Sequence, residues 1–130
     1  MIEVGEYIRF GYNQYQGHIR KVIGRNIDNQ IILDEDYDGD NYLNKYEEEH
    51  DIRKHSKNII DVIEIGDIVN GEKVREKLTV LNIKGEKFPM IRLSGDIIKN
   101  DEIRKIITHE LDRRDCYRVE EDWEAFENGE

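Results

Sequence analysis

The chain has 130 residues, of which 37% are hydrophobic and 38% charged, and its 30 acidic and 20 basic residues give a formal net charge of −10. This length matches one ordinary domain, which can bury a core without disulfides or metals. The negative charge repels nucleic-acid phosphates and anionic membranes, so neither is expected as a direct partner.

The absence of export signals favours the cytoplasm. Cys116 is the only cysteine, which excludes an internal disulfide and indicates a reducing compartment. The first six residues are acidic and begin no long apolar run, so we expect no secretory leader. No stretch approaches the roughly 18 apolar residues of a membrane span.

The first half of the chain predicts a β-meander followed by an acidic loop and a short helical stretch. Three strands joined by short turns are predicted at residues 7–10, 17–23 and 30–33, with Ile19, Val22 and Ile23 as core candidates. Residues 34–40 are predicted to be an acidic loop, and residues 41–50 to be helical with Leu43 and Tyr46 on one face. Ser56 is a plausible cap for a helical turn that leads into the core residues Ile59, Ile60, Val62 and Ile63.

The second half predicts further short strands. They are placed at residues 67–70, 78–83, 88–93 and 116–119. Asn70-Gly71 and Gly85 mark tight turns, because these residue types tolerate positive φ. Residues 96–99 and 103–107 fit either strand or helix, and Thr108 is a candidate cap for a helical turn over residues 109–114. Residues 120–130 are predicted to be an acidic tail outside the compact domain 1–119.

One strand-opening pattern occurs twice, as Val4-Gly5-Glu6-Tyr7-Ile8 and Ile65-Gly66-Asp67-Ile68-Val69. The glycine permits a sharp entry, and the acid can accept hydrogen bonds from turn amides. Many small SH3-like barrels open in this way. The predicted fold is mainly β with short helices (α+β), built as a small SH3-like barrel or a mixed antiparallel sheet. Two barrel-like halves, 1–63 and 64–119, are a further alternative.

No complete catalytic motif is present. The chain has no phosphate-binding glycine loop, no nucleophile elbow and no acid two positions before a lysine of the kind many nucleases carry. The histidines have no zinc-ligand spacing. We therefore expect a protein that is not an enzyme and needs no cofactor.

The segment from Asp34 to Asp40 resembles the opening of a calcium-binding loop, with acids at alternate positions and then a glycine. The closing position of that loop requires a glutamate, and here it is Lys45. A solvated acidic loop is the favoured interpretation, and weak metal binding is the alternative.

Two surfaces are candidates for binding. Acids are concentrated in residues 34–51, which hold nine acids and one lysine, and they can occupy a partner's nucleic-acid-binding groove. The predicted partner-binding residues are Asp34, Glu35, Asp36, Asp38, Asp40, Glu47, Glu48 and Glu49. The alternative is a site for a small anionic nucleotide signal, formed by Arg9, Tyr12, Tyr15 and Arg20, where basic and aromatic residues cluster.

Three stretches resemble a known group of proteins. Residues 55–71, the segment Val4-Gly5-Glu6-Tyr7-Ile8-Arg9, and Ile106-Ile107-Thr108 with Cys116-Tyr117-Arg118-Val119 are similar to small accessory proteins of phages and prophages of Gram-positive, clostridial-type bacteria. The resemblance involves framework residues and supplies no catalytic site. It implies a gene on a mobile element, and small acidic phage proteins include inhibitors of bacterial immunity such as anti-CRISPR proteins.

These observations together predict a non-enzymatic, phage-type accessory protein in the host cytoplasm. It would bind and inhibit a host protein with a basic surface, such as a CRISPR-type defence effector, by mimicking nucleic acid.

Overall fold

A computed structural model of the chain describes residues 2–11, 16–37, 40–110 and 116–119, apart from the side chains of residues 36, 37 and 40. These residues form twelve strands, one α-helix and two 3₁₀ turns. The strands are β1 (Tyr7–Phe10), β2 (Ile19–Arg25), β3 (Ile31–Tyr37), β4 (Asp40–Tyr42), β5 (Ile52–Ser56), β6 (Ile68–Val69), β7 (Glu72–Lys73), β8 (Glu76–Leu81), β9 (Lys87–Arg92), β10 (Ile97–Lys99), β11 (Lys105–Ile107) and β12 (Tyr117–Arg118). The helix α1 is Lys45–His50, and the 3₁₀ turns are Ile59–Val62 and Asn100–Glu102.

The strands build three open antiparallel sheets. The first has the order β4-β3-β2-β1-β5, the second β10-β9-β8, and the third β12-β11-β6-β7. The prediction of a mainly β fold with short helices is confirmed. The SH3-like barrel is wrong, because the sheets do not close into a barrel. Strands of two residues, such as β6, β7 and β12, provide few ladder hydrogen bonds with which to extend a sheet around a barrel.

Two hydrophobic clusters lie on opposite faces of the first sheet. Ile8 and Phe10 point from β1 into the first cluster, which also contains Val22, Leu33 and Leu43. Ile19 points into the second and larger cluster, together with the apolar run around the first 3₁₀ turn. Because both faces of β1 are covered, three of its four residues are buried, and the polar residue among them is Arg9.

Most predicted core residues are buried as expected. Ile59, Ile60, Val62 and Ile63 are each at most 2% exposed, and Ile19 and Val22 are also buried. Ile23 was predicted to be core but is exposed, because successive side chains of a strand point to opposite faces and Val22 occupies the inner one.

The predicted acidic loop is instead a hairpin. β3 continues to Tyr37 and pairs with β4 from Asp40 onwards, so only residues 38 and 39, which lie outside the description, separate the two strands. α1 begins later than predicted, after Asn44, whose side chain accepts a hydrogen bond from the Glu47 amide. Leu43 is buried while Tyr46 is 64% exposed, so the prediction that they share one face is wrong.

The predicted turns of the second half are confirmed. Asn70 and Gly71 have φ values of 52° and 87° and join β6 to β7, and Gly85 has a φ of 83° between β8 and β9. The two ambiguous segments are strands β10 and β11. Residues 111–114 of the predicted helical turn and residues 120–130, the predicted tail, lie outside the described residues. In the described part, no helix is long and apolar enough to cross a membrane.

Candidate functional site

Arg9 is the centre of an ion-pair network between the first sheet and the second half of the chain. Its side chain is completely buried, and one guanidinium nitrogen donates to Asp67 Oδ2 at 2.6 Å and to the Val62 carbonyl at 3.0 Å. The other nitrogen donates to Asp67 Oδ1 at 3.1 Å and to the Glu110 carboxylate. Asp67 is also completely buried. This bidentate pair joins β1 to the residue that precedes β6.

The two copies of the strand-opening pattern have the same local geometry. Gly5 and Gly66 have φ values of 97° and 100°. The Gly5 amide donates to the Val22 carbonyl at 2.8 Å, and the Gly66 amide donates to the Val74 carbonyl at 3.0 Å. The acid that follows each glycine accepts from the amide three residues earlier, at Glu6 in the first copy and at Asp67 in the second. Only Asp67 also holds Arg9, so the second copy has an additional role.

A second set of charges surrounds the buried pair. Glu64 lies 2.7 Å from Arg53, 3.2 Å from Lys54 and 3.0 Å from the Nε2 atom of His109. Glu110 accepts from Arg53 at 2.8 Å as well as from Arg9. Each of the two glutamates therefore contacts at least two permanently charged cations.

These cations determine the electrostatics of the site. Burial acts to raise the pKa of Glu64, but the hydrogen bond from His109 and the charges of Arg9 and Lys54 outweigh it and lower the pKa from 4.5 to about 2. Burial likewise acts to raise the pKa of Glu110, while Arg53 and Arg9 lower it. Both carboxylates are ionised at neutral pH.

Glu64, His109 and Glu110 have the residue types of a metal site. One ligand atom from each lies within 4.8 Å of the others. However, Arg9, Arg53 and Lys54 contact the same carboxylates and would repel a divalent cation. The charge balance therefore favours a structural ion-pair network over a metal centre.

Gly17 lies against this network at a point of close approach. Its φ is 90°, and a Cβ atom there would lie 2.8 Å from the Glu110 side chain and 2.9 Å from Thr108 Oγ1. Thr108 Oγ1 and Arg9 Nε are buried, and neither has a hydrogen-bond partner within the described chain. The network thus packs tightly against the β1–β2 connection.

The structure describes two of the four residues predicted for the small-ligand site, Arg9 and Arg20. Arg9 was predicted to bind a small anion, but its guanidinium is buried and already paired with Asp67. In the β1–β2 register Arg9 pairs with Ile19, and Arg20 pairs with Ile8, so the two arginines point to opposite faces of the sheet. Arg20 lies 3.8 Å from Glu35. Tyr12 and Tyr15 lie outside the described residues.

The two strands of the predicted acidic surface lie at one edge of the first sheet. β4 is the edge strand, β3 is its neighbour, and α1 begins three residues after β4 ends. β3 carries Asp34, Glu35 and Asp36, β4 begins at Asp40, and α1 carries Glu47, Glu48 and Glu49. The side chains of Asp36 and Asp40 are outside the description, as is all of Asp38.

The described acids of this edge differ in how available they are. Asp34 accepts from the Lys21 amide at 2.9 Å and from the Tyr117 hydroxyl at 2.7 Å, so both its oxygens are occupied and it is a structural residue. This also argues against the calcium-loop alternative, whose first ligand would be Asp34. Glu47 caps α1 and Glu48 pairs with Arg25 at 3.2 Å. Glu35 and Glu49 are exposed.

Sequence reasoning missed the Arg9 network because its members are spread along the whole chain. Arg9 and Arg53 lie on different strands, Asp67 and Glu110 lie outside the strands, and no local spacing connects the four. The repeated opening pattern drew attention to the acid at position 67, but it did not indicate that Arg9 is the cation paired with it.

Comparisons of the chain with protein-family models, with curated proteins and with solved structures find no match. The interpretation of both sites therefore depends on their geometry and chemistry.

Proposed function

We propose that this protein is a non-enzymatic, phage-type accessory protein that binds and inhibits a host defence effector in the bacterial cytoplasm. The partner surface is basic and normally binds nucleic acid. The observation that carries the proposal is that the acid-bearing strands β3 and β4 lie at one edge of the first sheet and that the acidic helix α1 follows β4 directly in the chain.

The acidic edge, defined as β3, β4 and α1, has the properties of a rigid recognition surface. Its scaffold is fixed by Leu43, which is completely buried, and by Arg25, which contacts Glu48 through both guanidinium nitrogens. Exposed tyrosines accompany the acids, with Tyr42 41% and Tyr46 64% exposed. Tyrosines beside charged groups are frequent contributors to protein–protein binding energy.

An extended row of carboxylates suits a groove that recognises the nucleic-acid backbone. Strand residues advance about 3.3 Å each and alternate between the two faces, so acids on one face of a strand are spaced at about 6.6 Å. Such a surface accelerates association with a basic partner, and the acceleration weakens as salt screens the charges.

The direct test is inhibition of purified CRISPR effectors that target DNA or RNA. We expect the protein to block nucleic-acid loading or cleavage by at least one effector of a panel, with weaker inhibition as salt is raised. The double change Glu35→Gln and Glu49→Gln should weaken binding by about tenfold or more, because both side chains are exposed on the acidic edge.

The control is a double change of the same charge elsewhere, Asp96→Asn with Asp101→Asn, at two exposed acids outside the acidic edge. Equal losses from the two double variants would refute recognition by the acidic edge. Failure to inhibit any effector of the panel would refute the defence-effector proposal.

A further inference from the structure

The second sheet carries a surface that the acidic edge does not use. β8 and β9 form a long hairpin, and β8 lies at the end of the sheet order β10-β9-β8, with no described strand on its outer side. An edge strand of this kind presents unpaired backbone donors and acceptors to a partner strand.

The register identifies which backbone groups of β8 point outwards. The Asn82 amide donates to the Glu86 carbonyl at 3.0 Å, so Asn82 and Glu86 are a hydrogen-bonded pair. In an antiparallel ladder every second pair is hydrogen-bonded, so Val80–Phe88 and Leu78–Met90 are the next hydrogen-bonded pairs away from the turn. The backbone groups of Lys77, Thr79 and Leu81 therefore face away from β9.

Pro89 makes the two sides of the hairpin unequal. It lies opposite Thr79, at a position that needs no hydrogen bond with β8. β10 pairs with β9 only at residues 90–92, so residues 87–89 of β9 have no partner on that side. Pro89 has no amide hydrogen to donate there, which opposes the addition of a strand to this side of β9. β8 contains no proline, and none of the strands in the described part of the chain pairs with its outer edge.

On one face of this sheet, the part of the β8–β9 hairpin nearest its turn is apolar without belonging to either core, while Glu76, Arg92 and Lys99 lie on the rest of that face. Leu78, Val80, Phe88 and Met90 pair across the hairpin and are only partly buried, and neither hydrophobic cluster includes them. Ile97 on β10 is 44% exposed. A strand added to β8 would extend this apolar face.

The charge of the same region differs in sign from that of the whole protein. Residues 72–99 contain seven basic and four acidic residues, in a chain whose net charge is −10. Lys77 lies on the edge strand itself, where its ammonium donates to the Ile63 carbonyl at 2.9 Å. Lys87 lies on β9, across from Leu81 on the face opposite the apolar one. An incoming strand with an acid beside Lys77 and apolar residues on its other face would complement both the basic excess of this region and its apolar face.

We propose that the open edge of β8 is a docking site for an extended, acidic segment of a partner protein, which adds to the sheet as a strand with alternating acidic and apolar residues. This surface is separate from the acidic edge. The protein would thus have two binding surfaces of opposite charge, and the second can be tested whatever the outcome for defence effectors.

The probe is a synthetic capped peptide, Glu-Val-Glu-Phe-Glu-Val-Glu, compared with the same peptide carrying lysine in place of glutamate. We expect the acidic peptide to bind at least about tenfold more tightly than the basic one. Hydrogen exchange at the amides of Lys77, Thr79 and Leu81 should slow when it binds, because these amides become paired.

The matched variants are Thr79→Pro and Thr79→Ala. Proline removes an outward-facing amide, whereas alanine changes the side chain and keeps the amide, so only Thr79→Pro should abolish binding. If Thr79→Pro does not fold, the exchange measurement on the unaltered protein decides the question. Absence of binding, equal binding of both peptides, unchanged exchange at the three amides, or a self-associated protein whose β8 edges pair with each other would each overturn the proposal.

Discussion

Arg9 shows how a single charged residue can connect the two halves of a small β protein. It lies in β1 between Ile8 and Phe10, both of which pack into the first cluster, and it points to the opposite face. There it meets Asp67 and Glu110 from the second half. Because both charges of the Arg9–Asp67 pair are completely buried, removing Arg9 leaves the Asp67 carboxylate buried without the guanidinium that compensates it.

Arg9→Ala should therefore lower the free energy of unfolding by about 3–5 kcal/mol, measured by urea denaturation. Arg9→Lys should recover only part of this loss, since an ammonium cannot make the bidentate contact with Asp67. The control is Arg53→Ala, which removes a partly exposed cation from the same network and should cost about 1 kcal/mol or less. An equal decrease in the free energy of unfolding for Arg9→Ala and Arg53→Ala would contradict a larger contribution from the buried Arg9–Asp67 pair.

At the scale of elements, the repeated opening pattern and the β6–β7 turn explain how very short strands are held in place. β6 and β7 have two residues each, too few for a hairpin to be stable alone. Asn70 compensates by joining the turn to β11. Its side-chain nitrogen donates to the Glu102 carbonyl at 2.9 Å, and its oxygen accepts from the amides of Arg104 and Lys105 at 2.8 and 3.1 Å.

Asn70→Ala should destabilise the protein more than Asn29→Ala. Both asparagines have positive φ, at 52° and 63°, so the backbone strain introduced by alanine is similar in the two variants. The difference isolates the side-chain bonds of Asn70, which we expect to contribute about 1–3 kcal/mol. Thermal or urea unfolding of the two variants measures it, and indistinguishable stabilities would contradict the assigned role.

At the scale of the whole molecule, the ion-pair network around Arg9 makes the free energy of unfolding depend on pH. The pKa of Glu64 falls from 4.5 in the unfolded chain to about 2 in the folded protein, because cations and His109 outweigh its burial. A carboxyl whose pKa is lowered on folding stabilises the protein fully above its unfolded pKa and loses that contribution as the pH falls through its folded pKa. Glu110 shifts in the same direction.

The free energy of unfolding should thus decrease as the pH falls from about 4.5 to about 2, measured by urea denaturation across this range. Glu64→Gln should be less stable at neutral pH and should show a shallower decrease over the same range. Glu49→Gln, a change at an exposed residue of α1, is the control and should follow the unaltered protein. The same pH slope for Glu64→Gln and the unaltered protein would contradict the role of Glu64.

The acidic edge and the β8 edge also belong to this scale, because each combines distant parts of the chain. The acids of residues 34–51 were visible as a composition bias, but the sequence did not indicate that Asp34 is committed to Tyr117. The open edge of β8 became visible only when the sheet order placed no described strand beside it.

The amino-acid sequence by itself determined the local features of this protein. Apolar alternation located most strands, the Asn70-Gly71 and Gly85 turns followed from their need for positive φ, and the run from Ile59 to Ile63 was recognisable as core. These features depend on residues close in the chain, whose interactions are set by backbone sterics and side-chain period.

Only the tertiary structure decided what the charged residues do. Arg9 was predicted to bind a small anionic ligand, because basic and aromatic residues cluster near it in the sequence. The second hydrophobic cluster covers the face of β1 to which Arg9 points, so Arg9 is buried and must be paired. Pairing of this kind joins residues 58 and 101 positions apart, and no local pattern encodes it.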